Sequence, residues 1–109
     1  MWMIDPQLLC RKHLLGEHGE LHKHKHNFEK QHKMAGRAGQ IFPAPMQVRH
    51  DELALEMVRR GYKHESPYIQ PDVSYLGDML KIKPDVQANE RDLCVRCEEC
   101  RLLILNRES

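Results

Sequence analysis

Residues 13–23 read His-Leu-Leu-Gly-Glu-His-Gly-Glu-Leu-His-Lys, and this stretch decides how the rest of the chain is interpreted. At about 100° per residue on a helix, two imidazoles and two carboxylates fall within about 60° of one another. These residues are His13, Glu17, Glu20 and His24. An apolar stripe with seven-residue spacing, Leu14, Leu21 and Phe28, lies beside them. The stretch therefore predicts a helix with an ionisable face next to a packing face.

Start and stop signals on either side of this stretch predict an all-α fold. Asp5-Pro6 is typical of a helix start, and Arg59-Arg60-Gly61 is typical of a helix end. Residues 34–45 contain two glycines and two prolines and are predicted to be a loop. We expect one domain over residues 1–109, with three main helices at residues 6–33, 46–60 and 85–105, joined by long irregular connections. We expect no sheet of three or more strands.

Two stretches resemble the small pyrimidine-dimer DNA glycosylase/AP lyases, the phage endonuclease V-type repair enzymes. The first helix of that family reads His-Leu-Met-Ala-Glu-Tyr-Arg-Glu-Leu, and residues 13–21 match it at His13, Leu14, Glu17, Glu20 and Leu21. A later family helix reads Arg-Gln-Ile-Glu-Leu-Ile-Ala-Glu-Cys-Leu-Lys-Arg-Gly-Phe. Residues 49–62 match that helix at Arg49, Glu52, Leu53, Glu56, Arg60 and Gly61, and with aromatic Tyr62 at its end. The family is also a small all-α fold.

The resemblance implies a DNA repair enzyme that acts on pyrimidine dimers or another damaged base. In that reaction an amine attacks C1′ of the damaged nucleotide, displaces the base and leaves an imine, and β-elimination then cuts the strand. The resemblance implies that the amine is the N-terminus of the chain, that Glu20 is the assisting carboxylate and that His13 lies at the edge of the site. An α-amine has a pKa of about 7.7–8, so a useful fraction is neutral at pH 7.

Departures from the family pattern concern the first residues and lesion recognition. Trp2 follows Met1, and bulky second residues normally block methionine removal, so we assign the amine to Met1. Gly19 stands where the family has an arginine, and the aromatic, basic C-terminal tail of the family has no counterpart. These differences leave lyase chemistry possible and leave the lesion undetermined.

The expected partner is damaged double-stranded DNA, bound by a monomer. The formal net charge is only +1, but residues 11–37 are locally basic. The candidate phosphate-binding residues in this segment are Arg11, Lys12, Lys23, Lys25 and Arg37. Arg59 and Arg60 are open to two interpretations, phosphate contact or capping of their own helix.

No run approaches 18 apolar residues, and the first residues lack the pattern of a signal peptide. We therefore expect a cytoplasmic protein, located in the host-cell cytoplasm if it is phage-encoded.

The spacing Cys94-x-x-Cys97-x-x-Cys100 raises the alternative of a metal site. Cys10 would complete a zinc site, and a [4Fe–4S] cluster uses the same spacing. However, residues 85–105 lack glycine and proline and are predicted to be one helix, on which three thiols would not converge. We therefore expect no cofactor, thiols packed in or near the core, and less than one zinc or iron per chain.

The histidines offer a second metal alternative. His22, His24 and His26 could bind an ion together with Glu52 and Glu56, although that glutamate pair could equally bridge to Arg49 and Arg60. The competing hypothesis on function is thus a non-catalytic, metal-stabilised or nucleic-acid-binding module on the same frame. Covalent trapping on DNA by borohydride would separate the two hypotheses.

Overall fold

The computed structural model describes residues 1–30, 40–64 and 67–107. These residues form an all-α structure without a β-sheet, which confirms the predicted fold class. The α-helices of this part of the chain are α1 (Arg11–Glu29), α2 (Met46–Arg59), α3 (Val86–Arg96) and α4 (Glu98–Asn106). Two 3-10 helices, Pro6–Leu8 and Ser74–Lys81, lie in the connections. No helix in the described ranges is both long and apolar enough to cross a membrane.

The predicted start of the first helix at residue 6 is wrong. Asp5 does cap a helix, but only a 3-10 turn, by accepting a hydrogen bond from the Gln7 amide. Leu9 and Cys10 are then extended and buried, so the chain changes direction before α1 begins. Arg60 Nη2 donates to the carbonyl of Leu9 at 2.7 Å and so satisfies a group that a continuous helix would have used. The predicted end at residue 33 lies outside the described residues.

The second helix agrees with its predicted range to within one residue, and its end has a clear cause. Gly61 has a φ of +85°, a conformation that favours glycine. The Gly61 amide donates to the carbonyl of Val58, and the Tyr62 amide donates to that of Met57. This pair of bonds is a Schellman motif, which satisfies the last carbonyls of α2.

The predicted helix over residues 85–105 is broken at Cys97. That residue is extended (φ −138°, ψ 112°), ends α3 and caps α4 by accepting a hydrogen bond from the Cys100 amide. Arg107 pairs with Glu90 at 2.7 Å, so α4 folds back towards the start of α3. The break turns one expected helix into a helical hairpin.

The core lies where α1, α2 and the hairpin meet. The seven-residue stripe of α1, Leu14, Leu21 and Phe28, is fully buried. It packs in one cluster with residues of the other helices: Met46, Leu53, Met57, Leu93, Cys100 and Ile104. Burial of each large apolar side chain contributes about 1.5–3 kcal/mol. Because this stripe must face the core, the rotation of α1 about its axis is fixed, and Glu20 lies at the edge of its buried face.

Candidate active site

The amine of Met1 lies against the carboxylate of Glu20. It donates to Glu20 Oε1 at 3.1 Å and to Oε2 at 3.4 Å, and it donates to the carbonyl of Gln40 at 2.8 Å. An ammonium group has three donors, and these contacts fix its position. A carboxylate that assists chemistry at the amine must lie within hydrogen-bond reach of it, and Glu20 lies at that distance from Met1.

Contacts with three helices hold the first four residues in this position. The Trp2 amide donates to Glu17 Oε1 of α1 at 3.0 Å, and its carbonyl accepts from Asn89 Nδ2 of α3 at 2.7 Å. Ile4 is buried, and its carbonyl accepts from Arg49 Nη1 of α2. Between them, Met3 has a φ of +59°, which costs about 1–3 kcal/mol and persists only where the surroundings impose it. The surrounding helices therefore impose the fold-back that places the amine.

Glu17 and Arg49 form a buried ion pair beneath this segment. Arg49 Nε and Nη2 donate to the two carboxylate oxygens of Glu17, and both side chains are almost fully buried. The pair aims Glu17 Oε1 at the Trp2 amide. Glu17 thus pairs with Arg49 and also holds the backbone next to the Met1 amine in place.

Glu20 is ionised and only partly shielded. Its side chain is 32% exposed, and His24 Nε2 lies 3.4 Å from Oε1. Burial alone would raise the pKa of Glu20, but the hydrogen bond from His24 and the charge of the amine outweigh it and hold that pKa below its ordinary value. The carboxylate can therefore stabilise positive charge or accept a proton.

An open cleft gives access to the amine. It is lined by Met1, Trp2, Gln40 and three residues of α3: Asn89, Asp92 and Arg96. The sequence analysis missed the α3 residues, because no motif in residues 86–96 indicates that this helix packs against the first residues of the chain. The exposed Arg96, paired with Asp92 at 2.9 Å, adds a cation at the edge of the cleft.

The predicted phosphate-binding residues are spread around α1. Lys12 and Lys23 are exposed on the side that also carries Gly16 and Gly19, and Lys23 lies one turn from Glu20. Arg11 stacks over Tyr62, with its guanidinium carbon 5.3 Å from the ring centre. Lys25 is half-buried over Tyr68 and 3.4 Å from Glu29, and Arg37 lies outside the described residues. Lys12 and Lys23 are thus best placed to meet a ligand at Glu20.

Arg59 and Arg60 have structural partners. Both donate to Glu56, and Arg60 also donates to carbonyls at the start of the chain. Glu52 lies 3.4 Å from Arg49. The interpretation of Glu52 and Glu56 as partners of arginines is therefore confirmed.

His13 does lie near the first residues, but its polar contacts are thiols. Its ring packs edge-on against Trp2, with 5.9 Å between the ring centres. Its Nδ1 is 3.2 Å from Cys10 Sγ and 3.6 Å from Cys100 Sγ. These contacts give His13 a role that the sequence hypothesis did not include.

Two groups of side chains in the described parts of the chain could hold a metal ion. The first is Cys10, His13, Cys97 and Cys100, and the second is His18, His22, His50 and His64. Within each group the potential ligand atoms lie within 4.8 Å of one another. The three C-terminal thiols do not all converge, as predicted, since Cys94 is not in the first group. The single helix on which that prediction rested is wrong, because the extended residue Cys97 breaks it and lets Cys97 and Cys100 join Cys10 and His13. The predicted trio His22, His24 and His26 is not the set that the fold assembles, since His24 contacts Glu20 and His26 is exposed.

Two histidines of the second group, His18 and His22, have pKa values below the ordinary value for histidine. Burial, followed by the neighbouring charges of His50, His22 and His64, lowers the pKa of His18 to about 4. Burial also lowers the pKa of His22. Both imidazoles are therefore neutral at pH 7 and expose lone pairs.

Comparison with known proteins identifies the family. A family model described as pyrimidine dimer DNA glycosylase matches residues 1–70, which include α1, α2 and the folded-back amine. The chain therefore belongs to the pyrimidine dimer DNA glycosylase family, as the sequence motifs in residues 13–21 and 49–62 indicated. Membership of this family implies a DNA substrate. No curated protein and no solved structure matches the chain significantly.

Proposed function

We propose that this protein is a DNA glycosylase with AP lyase activity that reacts through an imine on the Met1 amine. The observation that carries the proposal is the 3.1 Å contact between that amine and Glu20 Oε1. A nucleophile and its proton acceptor must lie within hydrogen-bond reach of each other or be linked by one water. The proposed substrate is double-stranded DNA that contains a pyrimidine dimer or another damaged base.

In the proposed reaction, the ammonium of Met1 first loses a proton, for which Glu20 is the carboxylate in contact with the amine. The neutral amine then attacks C1′, and the bond from C1′ to the base breaks with the electron pair leaving on the base, which takes up a proton. The new secondary amine loses a proton, and its lone pair then forms the C=N bond as the bond from C1′ to O4′ breaks. The electron pair of that bond leaves on O4′, which takes up a proton, and the product is a protonated imine. Loss of a C2′ proton expels the 3′ phosphate by β-elimination, and water releases the amine from the cut strand.

Glu20 suits this sequence because its charge is fixed beside the nitrogen that becomes the cationic imine. A preorganised charge of this kind acts without reorganisation during the reaction. The helix face next to Glu20 carries Gly16 and Gly19. A β-carbon at either position would have no described atom from outside the local helix within 4 Å, so this face is open. We infer that a DNA backbone approaches there, between Lys12 and Lys23, while the damaged nucleotide leaves the stack to reach the amine.

Borohydride trapping tests the proposal. The untagged protein is incubated with a duplex that carries one abasic site, with a duplex that carries one cyclobutane pyrimidine dimer, and with an undamaged duplex. We expect a covalent complex on the abasic and the dimer duplex and none on the undamaged control. Binding to damaged duplexes without trapping would instead favour the competing hypothesis, a nucleic-acid-binding module without catalysis.

A further inference from the structure

Three cysteines and one histidine from distant parts of the chain converge beside the start of α1. Cys10 Sγ lies 3.8 Å from Cys97 Sγ, and His13 Nδ1 lies 3.2 Å from Cys10 Sγ and 3.6 Å from Cys100 Sγ. Cys10 and Cys100 are buried, and the other two are partly buried. All these thiols are free. Their separation is far longer than the roughly 2.05 Å of a disulfide bond.

These distances fit the ligand sphere of one tetrahedral zinc ion. Zn–S bonds of about 2.3 Å and Zn–N bonds of about 2.0–2.1 Å place two sulfurs about 3.8 Å apart and a sulfur and a nitrogen about 3.6 Å apart. The contact between Cys10 and Cys97 and that between His13 and Cys100 match these values, and the 3.2 Å contact between Cys10 and His13 is shorter. Amide groups also face the sulfurs: the Cys10 amide donates to Cys100 Sγ at 3.1 Å, and the Cys100 amide donates to Cys97 Sγ at 3.4 Å. Such bonds favour the thiolate forms that a metal requires.

We propose that Cys10, His13, Cys97 and Cys100 bind a structural zinc ion. Four protein ligands close the coordination sphere, which is the arrangement of structural zinc sites. The ion would join the start of α1 to the junction of α3 and α4, across 87 residues of chain. It also accounts for the extended residue at Cys97 in a stretch without glycine or proline, because only the break brings Cys97 and Cys100 to the same point as Cys10.

Metal analysis of the wild-type protein tests this site without relying on a variant that folds poorly. The untagged protein is purified from zinc-supplemented cells and desalted, and its zinc is measured per chain. A mercurial thiol reagent is then added stepwise. We expect one zinc per chain to be released as the thiols react. Failure to release any zinc, or its absence from the purified protein, would overturn the proposal.

Cys94 provides a matched control. It is partly buried on α3, three residues from Cys97, but does not belong to the converging group. Cys94→Ser should keep the thiol-released zinc, whereas Cys97→Ser should lose it. Equal zinc release from both variants would also contradict the proposed ligand set.

Four histidines form a second cluster between α1 and α2. His18 and His22 lie four residues apart on α1, His50 lies on α2, and His64 follows the end of that helix. His18 Nε2 is 3.1 Å from His50 Nε2 and 2.9 Å from His64 Nε2, and the last two atoms are 3.3 Å apart. His22 Nε2 is buried and has no hydrogen-bond partner among the described atoms.

Protons alone cannot satisfy the three nitrogens that meet here. A neutral imidazole nitrogen is either a donor or an acceptor, never both. With three nitrogens in mutual contact, at least two donors or two acceptors must therefore face each other. His50 Nδ1 lies 3.0 Å from Asp51 Oδ1, and a bond to that carboxylate leaves His50 Nε2 with a lone pair. A metal cation between these three Nε2 atoms would instead accept a lone pair from each of them.

We propose that His18, His22, His50 and His64 bind a second divalent transition-metal ion, with zinc as the best geometric fit. A tetrahedral Zn–N sphere places nitrogens about 3.3 Å apart, and the observed separations of 2.9, 3.1 and 3.3 Å lie at or somewhat below that distance. The contact of Asp51 with His50 matches the outer carboxylate that commonly orients a metal-binding histidine. Tyr68 stacks on His50 and packs edge-on against His22, which restricts both rings.

The same metal measurement separates this site from the first. After full reaction with the thiol reagent, one further metal ion per chain should stay bound until a strong chelator is added. His64→Gln should lose that ion and keep the thiol-released zinc. His26→Gln, which changes an exposed histidine of α1 outside the group, should keep both ions. A wild-type protein with no metal left after the thiol reagent would overturn the four-histidine site.

Discussion

The buried junction between α1 and α2 and the open site at the first amine are each centred on a glutamate of α1. Glu17 is 2% exposed and is held by the guanidinium of Arg49. Glu20, one turn further on, has a side chain that is 32% exposed and contacts the Met1 amine at the edge of a cleft. The residue type and helix are the same, so burial and the partner decide which carboxylate supports the fold and which is available for chemistry.

The largest difference between the two regions should appear in catalysis. Glu20→Gln keeps the shape of the side chain but removes the charge beside the amine, so we expect cleavage of abasic DNA to fall by about 10²–10⁴-fold. DNA binding should be kept, because the substitution removes a charge that repels phosphate. Single-turnover cleavage and a gel-shift assay measure the two effects. Glu29→Gln, on the same helix, is the control and should cleave at the wild-type rate.

At the buried junction the expected effect is on stability. Glu17→Gln removes the buried carboxylate that pairs with Arg49 and leaves the longer contact with the exposed Glu52, which should cost about 3–5 kcal/mol of unfolding free energy. Urea denaturation of the protein as purified measures it, with Glu20→Gln as the comparison. A loss below about 1 kcal/mol would show that the pair contributes little and that the contrast between the two glutamates is wrong.

A smaller effect is expected from Lys23, an exposed cation one helical turn from Glu20. Lys23→Gln should weaken DNA binding on damaged and undamaged duplexes alike and reduce the salt slope of log K by about 1. The unfolding free energy should not change measurably, since Lys23 is exposed. An unchanged salt slope would remove Lys23 from the DNA-binding surface.

The smallest effect should move stability and activity in opposite directions. Gly19→Ala adds a methyl group to an exposed helix position with no described heavy atom from outside the local helix in contact range, so the protein should gain about 0.5–1 kcal/mol. If DNA approaches this face closely, cleavage should slow despite the gain. Thermal denaturation and cleavage kinetics of the same preparation test both parts. Faster or unchanged cleavage would contradict the close approach.

The sequence was sufficient for the parts of the fold that depend on local signals. The buried stripe at Leu14, Leu21 and Phe28 follows from its spacing, and the end of α2 follows from Gly61. The break at Cys97 could not be predicted in the same way, because Cys10, which contacts Cys97, and His13, which contacts Cys100, lie more than 80 positions away.

The candidate site was predictable only in part. The pairing of the amine with Glu20 came from the family resemblance, since no spacing rule indicates that Met3 adopts a positive φ and turns the chain back. The pair His18 and His22 is visible at helical spacing, but their partners His50 and His64 are brought in by the packing of α2. The contact of Asn89 with the first residues could not be predicted from sequence, because its partner is the backbone carbonyl of Trp2.

The measurement that tests the central claim most directly is the location of the trapped bond. The borohydride-reduced complex with abasic DNA is digested with nuclease and protease, and mass spectrometry identifies the peptide that carries the sugar remnant. The proposed mechanism predicts the remnant on the α-amine of Met1, and predicts no trapping when one residue is added before Met1. A remnant on Lys23 or another lysine, or undiminished trapping of the extended protein, would contradict it.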